Sequence, residues 1–353
     1  MDYMNILLGL LFAYFLVHGV VIFSLRRSKR VAPGPFPLPI IGNLHLLGDK
    51  PHISLAQLAK KHGPIMNIMV EAGKPNLVDY FPFLEKIDPQ GRRRCLTIHF
   101  TKVLQLMSGS VDERLNERKL GNHENVDFLD SLLNINLPSR NRQESYRTSD
   151  SGDLFVAGTD ATSNTFEWAM AELLKNPHIL EKAKEELAQV IGKELIDEVD
   201  VAKLPYLRCI VKETLRIHPQ APFLIPREAE EDVELCGYII PKDSQVFVNV
   251  WAIGHDSSLW EDPLDFKPER FWESDIDVRG RDFQLISFDA GRRLCPGLPL
   301  AIRMAPVTLG SILNTFNWKL YGGNIAPKDL DMEEKFGLTL AKAQPLLAIP
   351  VPL

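Results

Sequence analysis

The chain has 353 residues, 45% hydrophobic and 24% charged, with a net charge of −6 at pH 7, which suits one large globular unit. A modestly acidic balance, with no basic stripe beyond the first 30 or so residues, leaves no electrostatic footprint for a nucleic acid, so none is expected as a partner. Cys95, Cys209, Cys236 and Cys295 lie far apart without C-x-x-C spacing, which argues against a zinc site or a disulfide framework and suits a reducing cytosol.

From the amino end, Ile6 to Phe23 is apolar except for His18, and the flanks extend the stretch to residues 3–25. At about 1.5 Å per residue, roughly 20 residues cover a hydrocarbon core of roughly 30 Å, so the segment reads as a single transmembrane signal anchor. Arg26-Arg27-Ser28-Lys29-Arg30 follows while only Asp2 precedes, and this bias leaves the bulk of the chain cytosolic. A cleaved signal peptide fits less well, because its basic residues would precede the apolar run. Residues 26–40 then form a basic and proline-rich hinge, Ala32-Pro33-Gly34-Pro35-Phe36-Pro37-Leu38-Pro39, read as a stiff connector or as a ligand for an aromatic groove.

The remainder, 41–353, reads as mainly α with small β-sheets. Ser139 to Gly152 is polar apart from Tyr146 and reads as a loop. Leu154 to Lys175 reads as one long helix containing Ala157-Gly158-Thr159-Asp160-Ala161-Thr162-Ser163. A glycine in mid-helix costs about 1 kcal/mol relative to alanine, so Gly158 calls for a reason such as room for a ligand. Asp160 beside a hydroxyl is a candidate proton relay or an incidental acid, and Thr162 lies roughly 100° further round the helix than Ala161. A helix over Pro177–Ile191 has Asn176 as candidate cap and Gly192 as stop. Pro205 to His218 is a helix ended by Pro219, and its Glu213 and Arg216, three apart, share a face as either a buried pair or a solvated one. Tyr238–Ile240 and Val246–Val250 read as two strands joined by a turn over 241–245.

Near the carboxyl end stands Phe288-Asp289-Ala290-Gly291-Arg292-Arg293-Leu294-Cys295-Pro296-Gly297, followed by the apolar run Leu298 to Leu313. The run places Cys295 at a helix start, where N–H groups and the helix dipole stabilise a negative sulfur. Gly291 and Gly297 permit a tight turn and close approach to a flat macrocycle, and Arg293 offers a cation to a carboxylate. Cys295 is thus a thiolate metal ligand or a buried structural cysteine.

These ten residues resemble the heme-binding loop of the cytochrome P-450 monooxygenases, and the Gly158 helix resembles that family's oxygen-activating helix. The resemblance runs from the anchor to Met66 and again over most of Glu71 to the end. It implies heme b on Cys295, with Phe288, Gly291 and Gly297 shaping the loop, Arg293 and Arg227 on the propionates, and Asp160 and Thr162 in proton handling. It implies a structural triad of Glu213, Arg216 and Arg270, the last in Pro268-Glu269-Arg270-Phe271. It also implies electrons from NADPH through NADPH-cytochrome P-450 reductase, and residence in the endoplasmic reticulum membrane with the catalytic domain cytosolic. Phe166 to Leu174 and Asp331 to Leu340 look like the plant geraniol 8-hydroxylase group, which implies a small apolar substrate such as a monoterpenoid. Ala157, Phe223, Leu224 and Leu338 match positions that line the substrate pocket, and each reads equally as core.

The chain departs from the family in four respects. Asp289 stands where the family has glycine, and Ala161 where it has threonine, so poor coupling of oxygen reduction to substrate oxidation is expected. A large block is missing between Gly63-Pro64-Ile65-Met66 and Glu71-Ala72-Gly73-Lys74-Pro75, and none of the five tryptophans has arginine four residues later. The P-450 fold is therefore expected to be incomplete, as in an altered splice form. The competing reading is a catalytically silent truncated membrane-anchored protein unable to close a heme pocket.

Overall fold

The structure is a computed structural model that describes residues 32–38, 43–66, 68, 101–102, 105, 109, 112–120, 143–322, 325–337 and 339–352. The anchor 3–25 and most of the hinge lie outside these residues. Among the described residues, no helix is long and apolar enough to cross a membrane. The chain divides into two compact units, Met1–Gly73 with Ser163–Leu353, and Lys74–Thr162.

The described part of the first unit is built on helices, with four short two-stranded sheets. Among the described residues its α-helices are α1 (Pro51–His62), the carboxyl part of α2 (Gln143–Lys175), α3 (Pro177–Val190), α4 (Pro205–Ile217), α5 (Val250–Gly254) and α6 (Leu298–Thr315). Pro51, Pro177 and Pro205 open their helices, where a missing N–H costs nothing. α4 is the centre: 10 of its 13 residues are buried, including Glu213 and Arg216, so it is enclosed all round. Trp168, Leu173, Ile179, Leu187, Leu207, Ile210, Leu309 and Leu313 are almost fully buried. Each such side chain contributes about 1.5–3 kcal/mol of burial.

Two glycines mark where elements pack most closely. A Cβ on Gly254 would lie 2.2 Å from the Arg216 carbonyl oxygen, so α5 abuts α4 backbone to backbone. A Cβ on Gly310 would meet the methyl ends of Ile196 and Leu207 at 2.8 and 2.9 Å. Side-chain tips can move; a helix carbonyl cannot.

The polar stretch read as a loop over 139–152 is helical from Gln143 onward, as part of the 33-residue α2. No proline interrupts it, and adding residues to an existing helix costs only their individual propensities, far less than nucleating a new one. Asn176 does occupy the cap position of α3 but makes no capping bond; its amide donates back to the Glu172 carbonyl at 2.9 Å. Gly192, at φ +67, donates its N–H to the Leu187 carbonyl at 3.1 Å and ends α3 as expected.

The strands differ from the expected hairpin. Tyr238–Ile240 pairs with Val233–Leu235, and Gln245–Val246 pairs with Arg227–Glu228. Cys236 and Gly237 both have positive φ, 51° and 85°, and supply the two-residue turn whose twist suits strand pairing. Val250 is not strand but the first residue of α5, because the Asn249 side chain accepts the Ala252 N–H at 3.0 Å and caps a helix there. Glu334–Lys335 pairs with Ala341–Lys342, and Phe316–Leu320 with Ala348–Pro352.

Candidate functional site

The Cys295 loop is closed by its own backbone. Cys295 donates its N–H to the Phe288 carbonyl at 2.9 Å, Asp289 to Ile286 at 2.9 Å, and Leu294 to Gly291 at 3.2 Å. The reversal needs two left-handed residues, Asp289 at φ 68° and Gly291 at φ 63°. Glycine reaches that region freely and aspartate does so at a cost of about 1 kcal/mol, which its local hydrogen bonding helps to offset. A 3₁₀ turn, Gly291–Arg293, leads to the sulfur, and Leu298 then opens α6.

Gly297 has an ordinary φ of −79°, so the turn does not require it. Its hydrogen instead leaves space beside the sulfur: a Cβ there would lie 3.7 Å from Cys295 Sγ. Cys295 is a free, half-buried thiol, unlike Cys209, which is enclosed in the core and whose thiol is pushed up by burial. Phe288 packs partly buried against the core and anchors the loop's amino end.

The two arginines expected on carboxylates both stand in this neighbourhood, beside Arg292. Arg227, on the first strand, forms an ion pair with the Asp289 carboxylate. Arg293 is exposed and donates to the Pro226 carbonyl at 3.1 Å. The loop and the 226–227 segment are thereby joined twice.

Behind the loop, Ser287 donates to the Leu215 carbonyl of α4 at 2.8 Å. There Glu213, fully buried, takes both Arg216 Nε and Nη2 at 2.8 Å, Arg270 Nε at 2.9 Å and the Lys267 N–H at 2.8 Å. Arg216 donates further to the carbonyls of Gly254, Pro263 and Asp265, and Arg270 to those of Glu261, Asp262 and Asp265. Both guanidinium groups lie over the Trp260 ring, at 5.3 and 5.9 Å. The structure brings the three expected partners onto one carboxylate.

A second buried polar network had no single sequence signal. His218 stacks on Trp168 at 3.8 Å, bonds Glu172 at 2.9 Å through Nε2, and has Glu334 3.5 Å from Nδ1. Only the Glu172 contact has hydrogen-bond geometry; the other is an ion pair. Glu334 also meets His52 Nε2 at 3.1 Å and Trp251 Nε1 at 3.3 Å. Burial alone would lower the His218 pKa, but Glu172 and Glu334 outweigh it and hold it above the ordinary value. Burial would raise Glu334, yet its histidine partners bring it down to about 2. Trp168 donates to the Leu340 carbonyl at 2.9 Å, so the segments Phe166–Leu174 and Asp331–Leu340, read separately in the sequence, form one contact.

The expected substrate-lining positions are dispersed. Leu224 is buried with Val250 and Ile286 in a small cluster, and Phe223 is half-buried edge-on to Phe247 and Phe336, at 6.0 and 5.8 Å. Leu338 lies outside the described residues. Ala157, Asp160 and Thr162 are exposed on α2 within the unit Lys74–Thr162, and a Cβ on Gly158 would meet nothing within 4 Å.

Comparison with known proteins completes the assignment. The geraniol 8-hydroxylase of Swertia mussotii is 44% identical over 497 aligned positions, covering 100% of this chain and 99% of the relative. The geraniol 8-hydroxylase of Catharanthus roseus is 45% identical over 495 positions, covering 99% of each. A 7-ethoxycoumarin O-deethylase of Helianthus tuberosus is 39% identical over 499 positions and covers the whole of both. Because 353 residues are spread over 497 positions, the relatives carry internal sequence that this chain lacks. The family model described as cytochrome P-450 matches residues 66–347, and the chain belongs to that family of heme-dependent monooxygenases.

Proposed function

We propose that the chain is a membrane-anchored heme-thiolate monooxygenase that hydroxylates a small apolar substrate, a monoterpenoid such as geraniol. Electrons come from NADPH through NADPH-cytochrome P-450 reductase, with the catalytic domain on the cytosolic face of the endoplasmic reticulum. The substrate class rests on the full-span likeness to two geraniol 8-hydroxylases. The membrane placement rests on Ile6 to Phe23 and the basic cluster after it.

The observation that carries the reading is the half-buried Cys295 thiol, presented by a closed loop beside two arginines and next to a glycine. That donor set fits heme: one soft sulfur for iron, two cations for carboxylates, and a side-chain-free position beside the sulfur for a flat ring. The chemistry supplied when the group is bound is reductive activation of dioxygen, which thiolate donation favours.

The protein's own residues do the rest. Cys295 would hold the iron, and Arg293 and Arg227 the carboxylates. Glu213, Arg216 and Arg270 keep α4 and the 261–270 segment rigid, and Ser287 ties the loop to that base. Asp160, with Thr162, is the candidate to pass protons, and Ala157, Phe223, Leu224 and Leu338 are candidates to contact substrate.

A second reading, a catalytically silent chain that keeps the loop but does not enclose heme, is favoured by the internal sequence missing relative to the 497-position alignment. The carbon-monoxide difference spectrum of the reduced, purified full chain separates the two. A Soret band of thiolate-ligated heme supports the enzyme; absence of heme uptake supports the silent chain.

A further inference from the structure

The ion pair between Arg227 and Asp289 sets one arginine of the loop apart from the other. Asp289 is held in place locally: its side chain is 8% exposed, its φ is 68°, and Oδ1 also accepts the Ala290 N–H at 2.6 Å. Oδ2 is buried and makes no hydrogen bond among the described residues. Arg227 is the looser partner, with its side chain 33% exposed. Arg293, by contrast, gives one N–H to a neutral carbonyl and has no carboxylate partner among the described residues. One guanidinium is therefore charge-compensated from within and the other is not.

We propose that Asp289 is an internal competitor for the carboxylate-binding site at Arg227, and that it weakens the grip of this chain on a dicarboxylate cofactor. The inference rests on the heme-thiolate reading. A carboxylate arriving at Arg227 meets a guanidinium whose charge Asp289 already offsets through Nη2, and it does so near the buried Oδ2 of that carboxylate, whose negative charge repels it. Arg293 keeps its full attraction. The site then binds one carboxylate firmly and the other poorly, where two uncompensated arginines would bind both.

Asp289→Asn removes the negative charge while keeping the shape, an oxygen for the Ala290 N–H and tolerance of positive φ. Asp289→Gly is the second variant, since glycine reaches that backbone freely. The full chain, with its heme removed, is titrated with hemin and, separately, with hemin dimethyl ester, which has the same ring and iron but no carboxylates. Uptake is followed by Soret absorbance and tryptophan quenching, and ligation by the reduced carbon-monoxide spectrum.

The expected result is roughly fivefold tighter hemin binding in both variants, with ester binding unchanged. If the thiolate spectrum forms but the variants bind hemin no more tightly, or gain equally for the ester, the competitor assignment is overturned and the heme-thiolate reading stands. If neither parent nor variant yields a thiolate spectrum, that reading falls and takes this assignment with it.

Discussion

Two regions separated by one hydrogen bond, Ser287 to Leu215, manage charge in opposite ways. At Glu213 a buried carboxylate holds the buried Arg216 guanidinium and the partly buried Arg270 guanidinium, with both carboxylate oxygens and most N–H donors taken up. At the cysteine loop a thiol is half-exposed and, among the described residues, Arg293 has no anion against it and an aspartate oxygen is buried without a hydrogen-bond partner. Buried charge is stable only when its hydrogen bonds are complete, so the first region acts as a fixed base. The second keeps electrostatic capacity that an incoming group can use.

Breaking the fixed base gives the largest effect. Glu213→Gln leaves the buried Arg216 guanidinium and the partly buried Arg270 guanidinium without their counter-charge, an expected loss of about 3–5 kcal/mol out of a total that is typically 5–15. Urea denaturation of the full chain measures it. Gly254→Ala comes next, because its Cβ would sit 2.2 Å from a helix carbonyl of Arg216; about 3 kcal/mol is expected, whereas Gly310→Ala, which meets movable methyl groups, costs less.

The histidine network sharpens the contrast through pH. His218 is held above its ordinary value of 6.5, so its contribution is complete below that pH and fades as pH rises through the raised folded value. Glu334, near 2 in the folded state against an ordinary 4.5, contributes fully above 4.5 and loses its contribution as pH falls toward 2. His255, lowered by burial to about 4, works against folding increasingly as pH falls from 6.5 to 4 and by a constant amount below that, so parent and variant must be compared at each pH. His218→Gln is expected to cost about 1–3 kcal/mol at pH 6, with the gap narrowing as pH is raised through the elevated folded value. A gap that is flat with pH would contradict a charged His218.

The smallest effect belongs to the loop. Asp289→Asn removes a partly exposed ion pair, and a change within about 1 kcal/mol in the stability of the heme-free chain is expected.

What was legible in the sequence follows from the range of the interactions. Helix limits set by local signals, Pro205 and Pro219 around α4 or Gly192 after α3, were readable because their causes lie within a few residues. The Phe288 to Gly297 spacing was readable because one short loop carries the whole motif. The pairing of Tyr238–Ile240 was misread because positive φ at Cys236 is not a property that cysteine advertises. The amino end of α2 was misread because polar composition was allowed to outweigh helix propagation. The His218–Glu334 network was not legible at all: its members lie 116 positions apart and meet only through tertiary packing. Nor did the glycine-to-aspartate departure at 289 show its consequence until Arg227 was seen across from it.

The central claim is that the sulfur of Cys295 is the ligand to heme iron, and Cys295→Ser tests it most directly. Parent and variant are purified as full chains, supplied with hemin, reduced and exposed to carbon monoxide. The account expects a thiolate-type Soret band in the parent and its loss in the serine variant, with the folded core unchanged by circular dichroism. The same band in both proteins would contradict it.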